Sequence, residues 1–216
     1  MTAVAGPRSA GTEPEPTPQR WRPRIVHEQA PIDLDAAERA AAGLLEALGQ
    51  PLDGDAMAET PRRMAQAYAE LLAVPAFDLT SFANTEEYDE LVLVQDIPVR
   101  SLCEHHMLPF VGVATVGYLP GDRILGLSKL ARIVDFFARR PQTQERLTKQ
   151  VADHLQAQLS PRGVGVVVEA EHTCMSLRGV RALGARTLTS ALSGTLRQDA
   201  AARAEFLALA RTRREA

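Results

Sequence analysis

The strongest constraint on how this chain can fold comes from where its metal-binding residue types lie. The chain has two cysteines and five histidines, and both cysteines with three of the histidines fall at 103–110 and 172–174. The first stretch reads Cys-Glu-His-His-Met-Leu-Pro-Phe and the second reads His-Thr-Cys. Thiolate and imidazole are preferred ligands of Zn²⁺, which takes three protein ligands and a water at catalytic sites. A fold that joins the two stretches would therefore build a metal site.

The spacing within each stretch predicts which side chains bind the ion. Two residues separate Cys103 from His106, so one turn can present both side chains to the same metal. If an extended strand continues through Cys174, then His172 and Cys174 project from one face, because alternate strand residues do so. Cys103, His106 and Cys174 would then be the ligands, with an open fourth position. His105 and His172 remain uncoordinated beside it and suit general acid-base work.

Two other interpretations of these stretches stay open from the residues alone. The cysteines could form a disulfide, although the N-terminal sequence Met-Thr-Ala-Val-Ala-Gly-Pro-Arg lacks the apolar core of a secretory signal. The adjacent histidines could belong to an ordinary polar turn, since a Cys-x-x-His pattern is weak by itself. The second stretch is what favours the metal site.

Length and charge limit the classes of partner. At 216 residues the chain is expected to hold ~1–2 domains. Its formal net charge of −3 argues against a nucleic-acid partner, because such proteins need an excess of Lys and Arg. No apolar run approaches the ~20 residues that span a bilayer. We therefore expect no nucleic-acid partner, no membrane partner and a cytoplasmic location.

The chain is predicted to have three segments. Residues 1–30 are rich in proline and poor in apolar residues, so they are expected to form a disordered tail. Residues 31–75 are predicted to form a helical segment. Residues 76–216 mix strand and helix patterns and hold both Cys/His stretches, so they are expected to form the catalytic domain.

Two amphipathic helices are predicted in the N-terminal helical segment. The first spans 33–48, where apolar residues recur at helical spacing and Gly49 supplies the stop. The second begins at Thr60, whose hydroxyl is predicted to cap it, with Pro61 at the first helical position. Arg63 lies in its first turn, where a cation could meet a bound anion.

The remaining segment predicts an α+β fold. Strands are predicted at 90–99, 111–118, 164–168 and 187–196, with helices after Ser128, after Pro141 and at 200–209. The first two strands flank the Cys/His turn. Ser128 is the predicted cap of its helix, on which Lys129 and Arg132 share a face. A helix start with a hydroxyl and two cations suits a phosphate, although an ordinary surface helix fits equally well.

Four motifs in this order resemble the signatures of the type I GTP cyclohydrolase family. They are Ser-Leu-Cys-Glu-His-His, Gly-Leu-Ser-Lys-Leu-Ala-Arg, Arg-Pro-Gln-Thr-Gln-Glu-Arg-Leu-Thr and His-Thr-Cys-Met-Ser-Leu-Arg-Gly. The resemblance implies an α+β tunnelling fold, with an antiparallel sheet and helices packed on one side. It also implies a homo-oligomeric ring of ten subunits that share active sites, and conversion of GTP and water to 7,8-dihydroneopterin triphosphate and formate.

The resemblance also implies roles for individual residues. The Zn²⁺ ligands would be Cys103, His106 and Cys174, and the catalytic histidines would be His105 and His172. Glu145, with Gln144 beside it, would bind guanine, while the triphosphate would meet Ser128, Lys129, Arg132, Arg178 and a neighbouring subunit's Arg63. One departure is Gln66, where some relatives carry lysine. Loss of that cation would weaken triphosphate binding without affecting the chemistry.

Two alternatives from other functional classes can be weighed against this one. A zinc-stabilised scaffold protein needs only the metal ligands, so His105, His172 and Glu145 argue against it. A nucleobase deaminase would carry H-x-E and P-C-x-x-C patterns, which this sequence lacks.

Overall fold

The structure is a computed structural model that describes residues 30–74 and 81–211. The predicted tail at 1–30 lies outside the described residues except for Ala30. The helices are α1 Leu34–Ala47, α2 Asp55–Ala58, α3 Thr60–Leu72, α4 Ser128–Ala138, α5 Gln144–Leu159, α6 Thr173–Ser176, α7 Gly194–Gln198 and α8 Ala200–Arg211. The strands are β1 Ser81–Ala83, β2 Val92–Cys103, β3 Pro109–Leu119, β4 Arg123–Leu125, β5 Pro141–Gln142, β6 Gly163–His172 and β7 Thr187–Ser193.

The N-terminal helices form where the sequence predicts them, but one cap differs. Asp33 caps α1 by accepting a hydrogen bond from the Ala36 backbone N–H at 2.9 Å, and the positive φ of 72° at Gly49 ends this segment. The predicted cap by the Thr60 hydroxyl is wrong. Because α2 ends immediately before α3, that hydroxyl lies against the previous turn and donates to the Ala56 carbonyl at 3.1 Å.

A five-stranded sheet with the order β5-β2-β3-β6-β7 forms the centre of the fold. All neighbours are antiparallel except β2 and the two-residue β5, which run parallel. The β2–β3 hairpin brackets the Cys/His turn, as predicted. In the β3–β6 pair, Phe110 lies opposite His172, so the second Cys/His stretch is delivered beside the first.

Two helices, α4 and α5, pack against one face of this sheet. Their apolar stripes recur at helical spacing and are fully buried in the main core, with Leu130 and Ile133 from α4 and Leu147, Val151 and Leu155 from α5. An antiparallel sheet backed by helices on this face is the arrangement predicted. The predicted α+β class, with helices packed against an antiparallel sheet, is therefore confirmed for the single chain.

The other face of the sheet is partly covered by α8. Phe206 of α8 is fully buried over two glycines of β3 and β6. A Cβ atom added at Gly117 would come within 3.2 Å of the Phe206 ring, and one at Gly165 within 2.6 Å. Any side chain at Gly165 would therefore displace the ring, so the close approach of α8 depends on that glycine.

Two further predictions of local structure are wrong. The predicted strand at 187–196 ends at Ser193, because Gly194 takes a positive φ of 53° and begins α7. Ser128 does not cap α4, because the helix already includes it and Leu127 occupies the cap position without a side-chain bond.

The division of the chain at residues 30 and 75 stays a prediction. Among residues 30–74 and 81–211, no helix is both long and apolar enough to cross a membrane.

Candidate metal and catalytic site

The first Cys/His stretch forms the tight turn between β2 and β3. The Cys103 N–H donates to the Leu108 carbonyl at 2.8 Å, and the Cys103 carbonyl accepts from the N–H groups of His106 at 3.2 Å and Met107 at 2.8 Å. Met107 takes a positive φ of 53°, which lets the chain reverse. This turn places the side chains of Cys103 and His106 together, as their spacing predicts.

The second stretch reaches the same place by a different route from the one predicted. Strand β6 ends at His172, and Thr173 begins the helical turn α6, so His172 and Cys174 do not share a strand face. The Thr173 hydroxyl donates to the Pro109 carbonyl at 2.6 Å, which ties α6 to the start of β3. The helical turn then brings the Cys174 sulfur to 3.9 Å from that of Cys103.

The ligand atoms of Cys103, His106 and Cys174 all lie within 4.8 Å of one another. Bonds of about 2.3 Å to sulfur and about 2.0 Å to nitrogen in a tetrahedral zinc site put two sulfurs roughly 3.8 Å apart and sulfur and nitrogen roughly 3.5 Å apart. The two sulfurs here are 3.9 Å apart, and the Cys103 sulfur lies 3.9 Å from Nδ1 of His106. The three side chains therefore fit a tetrahedral metal ion.

The two cysteines are free thiols, so the disulfide interpretation is wrong for this structure. Their 3.9 Å separation is far from the roughly 2.05 Å of a disulfide. Burial raises the pKa of the Cys174 thiol, and the nearby Cys103 raises it further. A Cys174 thiol whose pKa is raised in this way needs a nearby cation to become a thiolate, which is what a metal ion supplies.

The two predicted catalytic histidines lie beside the three predicted metal ligands Cys103, His106 and Cys174, which we call the metal group. Nδ1 of His105 is 3.7 Å from the Cys103 sulfur, so His105 stays close to the ligands and does not point away from them. The His172 ring stacks on Phe110, with centroids 4.5 Å apart and planes 10° apart. Burial lowers the pKa of His172, and the Glu145 carboxylate opposes that shift.

The predicted guanine-binding pair divides between two environments at the start of α5. Glu145 is exposed in the first turn of the helix. Gln144 is only 1% exposed, and its side-chain oxygen lies 2.8 Å from Nε2 of His172. The Gln144 side chain is thus engaged within the chain, and contact of either residue with a substrate stays a prediction.

The predicted triphosphate contacts lie on three different elements. Ser128, Lys129 and Arg132 are in the first turns of α4, Arg178 follows α6, and Arg63 is on α3. The Arg178 guanidinium partly offsets the burial that raises the pKa of Cys174, which places it near the metal group. Arg63 is exposed and donates to the Ala56 carbonyl within its own helical segment. The anion-binding roles of these five side chains stay predictions.

The sequence did not predict a polar network in which α5 contacts the turn between β2 and β3. Arg146 forms an ion pair with Glu104, the residue between Cys103 and His105, and its Nε donates to the Gln142 side chain at 2.8 Å. The Glu104 N–H donates to the Gln142 carbonyl at 3.0 Å. Arg146 and Glu104 are 42 residues apart in sequence, so no local pattern could pair them.

Comparisons with known proteins agree with this site. The sequence profile described as GTP cyclohydrolase I matches residues 37–211. The curated "GTP cyclohydrolase 1" of Mycolicibacterium paratuberculosis is 54% identical over 189 residues, which cover 85% of this chain and 93% of that protein. The "GTP cyclohydrolase 1" of Mycobacterium tuberculosis H37Rv is 53% identical over 183 residues, which cover 82% of this chain and 91% of that protein.

One solved structure, titled as the archaeosine synthase QueF-Like in the apo form, is also similar. It is 21% identical, with a TM-score of 0.41, and the match covers 48% of this chain and 93% of that chain. The profile match extends over most of the sequence, and the curated relatives are matched over nearly their full lengths. The chain therefore belongs to the GTP cyclohydrolase I family.

Proposed function

We propose that this protein is a zinc-dependent GTP cyclohydrolase that converts GTP and water to 7,8-dihydroneopterin triphosphate and formate. In that role it would catalyse the first step of tetrahydrofolate and pterin biosynthesis in the cytoplasm. The observation that carries the proposal is the convergence of Cys103, His106 and Cys174 with two further histidines beside them, in a chain of this family.

The metal would be held by the two thiolates and Nδ1 of His106. A Zn²⁺ ion bound there supplies Lewis-acid chemistry and lowers the pKa of a coordinated water to about 7. Cys103 is buried and Cys174 is half-buried, so the protein shields the ligands on one side. The exposed His106 leaves the other side open to a substrate.

The reaction needs a general acid, because the substrate atoms that must be protonated are too weakly basic to take a proton from water efficiently. Adding water at C8 of guanine and opening the imidazole ring requires a proton at N7. We assign that proton to His172, which is half-buried and stacked on Phe110. We assign to His105, which is exposed and close to the Cys103 sulfur, the relay of protons during hydrolysis of the formamide and rearrangement of the ribose.

Guanine recognition is assigned to Glu145. The N1–H and the N2 amino group of guanine are adjacent donors, and a single carboxylate can accept from both. Adenine lacks this pair of donors, so a carboxylate at this position would discriminate against it. Glu145 is exposed, and its negative charge opposes the lowering of the His172 pKa by burial, which supports a position of the carboxylate near His172.

The triphosphate is assigned to Ser128, Lys129, Arg132 and Arg178, with Arg63 supplied by a neighbouring subunit. A chain with a formal net charge of −3 must gather cations locally to hold a polyanion. The start of α4 adds backbone N–H groups to the two cations on that helix. A homodecamer with active sites between subunits would supply the remaining cation.

The test is to incubate purified protein with GTP and to measure both products. Formate release, together with a pterin that becomes fluorescent after oxidation, supports the proposal. A zinc scaffold would release neither product. A nucleobase deaminase would release ammonia without formate, and that result would refute the proposal.

A further inference from the structure

The geometry around His172 points to a positioning residue: we propose that Gln144 fixes the orientation of the His172 ring by accepting a hydrogen bond from its Nε2. The inference rests on the proposed function, because it concerns how His172 acts in that reaction. It assigns Gln144 a role within the protein in addition to any contact with guanine.

The orientation of the Gln144 amide follows from the groups that surround its nitrogen. Nε2 of Gln144 lies within hydrogen-bond distance of the Val168 carbonyl at 3.0 Å, the Thr187 carbonyl at 3.0 Å and the Thr189 hydroxyl at 3.1 Å. Carbonyl oxygens only accept, so the amide group that faces them must be the NH₂. The other end of the amide, which faces His172, is therefore the oxygen.

Two threonines beside the amide form hydrogen bonds whose donors and acceptors are fixed by the same reasoning. The Thr148 hydroxyl donates its only proton to the Gln144 backbone carbonyl at 2.7 Å. The hydroxyls of Thr148 and Thr189 are 2.6 Å apart, so Thr189 must donate in that bond. A lone pair of Thr189 then remains for Nε2 of Gln144. In this orientation the two hydrogens of the Gln144 amide are shared among three acceptors, whereas reversing the amide would set its oxygen against two carbonyls.

The amide oxygen in turn fixes the proton on the histidine. Oε1 of Gln144 lies 2.8 Å from Nε2 of His172, and an amide oxygen can only accept. Nε2 of His172 must therefore carry a hydrogen. Stacking on Phe110, with the ring planes 10° apart, holds the imidazole plane in place. Gln144 itself is 1% exposed, so water has little access to replace it as the partner.

The consequence is that the His172 ring is held at two points. Its Nε2 is fixed by the bond to Oε1 of Gln144, and its plane is fixed by the stack on Phe110. Without the Gln144 oxygen the ring could turn within its stacked plane, so Gln144 acts on the proposed reaction through the position of His172.

The test combines kinetics with a direct observation of the proton. Gln144→Met removes both polar ends of the side chain at similar volume. Gln156→Met is the matched control, because Gln156 lies on the same helix and its amide bonds the Pro161 carbonyl and the Ser193 hydroxyl. Partners that orient metal-ligating histidines typically contribute about 10- to 100-fold to activity, and we expect a loss of similar size here. Gln144→Met should therefore lower kcat by about that factor with KM for GTP within about twofold, and Gln156→Met should keep kcat.

The second readout is solid-state ¹⁵N NMR of histidine-labelled wild-type protein, with His172→Gln used to assign the signal. We expect His172 to be protonated at Nε2 in wild-type protein and to lose this preference in Gln144→Met. Protonation at Nδ1 alone in wild type would overturn the inference, as would equal losses of kcat in the two variants. A rise in KM without a fall in kcat would assign Gln144 to substrate contact alone. If the wild type fails to turn over GTP, the proposed function fails, and the NMR result still decides the proton position.

Discussion

Phe110 and His172 face each other across the β3–β6 ladder, and their rings stack with centroids 4.5 Å apart. Phe110 is fully buried in the main core, whereas His172 is half-buried at the edge of the metal group. His172, the proposed catalytic histidine, is therefore aligned by the same packing that stabilises the sheet. Changes at Phe110 should consequently affect both stability and catalysis.

We expect Phe110→Leu to destabilise the fold by on the order of 1–3 kcal/mol and to lower kcat, because the imidazole loses its flat support. KM for GTP should change little, since Phe110 is buried away from solvent. Phe137→Leu is the matched control, because Phe137 is also buried in this core but packs against His154. Thermal unfolding and steady-state kinetics of both variants provide the measurement. Equal losses of kcat would show that general loosening of the core is responsible.

Glu145→Gln should raise KM for GTP by about 10- to 100-fold, because an amide presents a donor to one of the two guanine donors and a charge-assisted bond is lost. Steady-state kinetics with GTP measures this change. The control is Glu171→Gln, which removes an equal charge one residue from His172. A normal KM in Glu145→Gln would place the guanine contact elsewhere, and an equal rise in both variants would indicate a general effect of charge.

The burial of His154 predicts that the folded protein loses stability as the pH falls. Burial lowers its pKa in the folded state below the usual value of about 6.5. The folded protein then binds fewer protons at this site than the unfolded chain, so the stabilising contribution is complete above about pH 6.5 and is lost as the pH falls below it. His154→Gln should unfold with a weaker pH dependence between about pH 7 and pH 5 than wild type. Both proteins keep the same metal ligands, so an identical pH dependence would contradict the prediction.

The proposed sharing of active sites between subunits predicts that two inactive variants can complement each other. Arg63→Ala and His172→Ala should each lose activity, and rings reassembled from a mixture should regain part of it. Each recovered site would take Arg63 from one parent and His172 from the other. Mass spectrometry of intact rings shows whether mixing has occurred. Mixed rings without activity would mean that both residues act within one subunit, or that Arg63 is only a surface charge.

Much of this structure was predictable because its signals are local. The helical spacing of apolar residues and the stop at Gly49 predict α1, and the Cys-x-x-His spacing predicts the turn that brings Cys103 and His106 together. The predicted caps Thr60 and Ser128 are wrong by one position. Each is the first residue of its helix, and the N-cap is the residue before it, Glu59 or Leu127. A pattern cannot resolve such a shift when the preceding segment sets where the helix begins.

The parts of the site that sequence could not predict depend on long-range packing. Cys174 reaches Cys103 through a helical turn, because the Thr173 hydroxyl bonds to the start of β3 and stops the strand from continuing. The position of Gln144 depends on carbonyls of β6 and β7, which only the folded sheet brings together. The sequence predicts a chemical role for each of these residues, and the tertiary structure determines which partners each one meets.

The most direct test of the whole account is activity measured against zinc content. Protein stripped of metal and titrated with Zn²⁺ should release formate from GTP in proportion to bound zinc, reaching a plateau at one ion per subunit. Cys174→Ser, which removes one thiolate from the group of three, should assemble normally yet bind no zinc and release no formate. Full zinc binding in Cys174→Ser, or formate release that does not depend on zinc, would contradict the account.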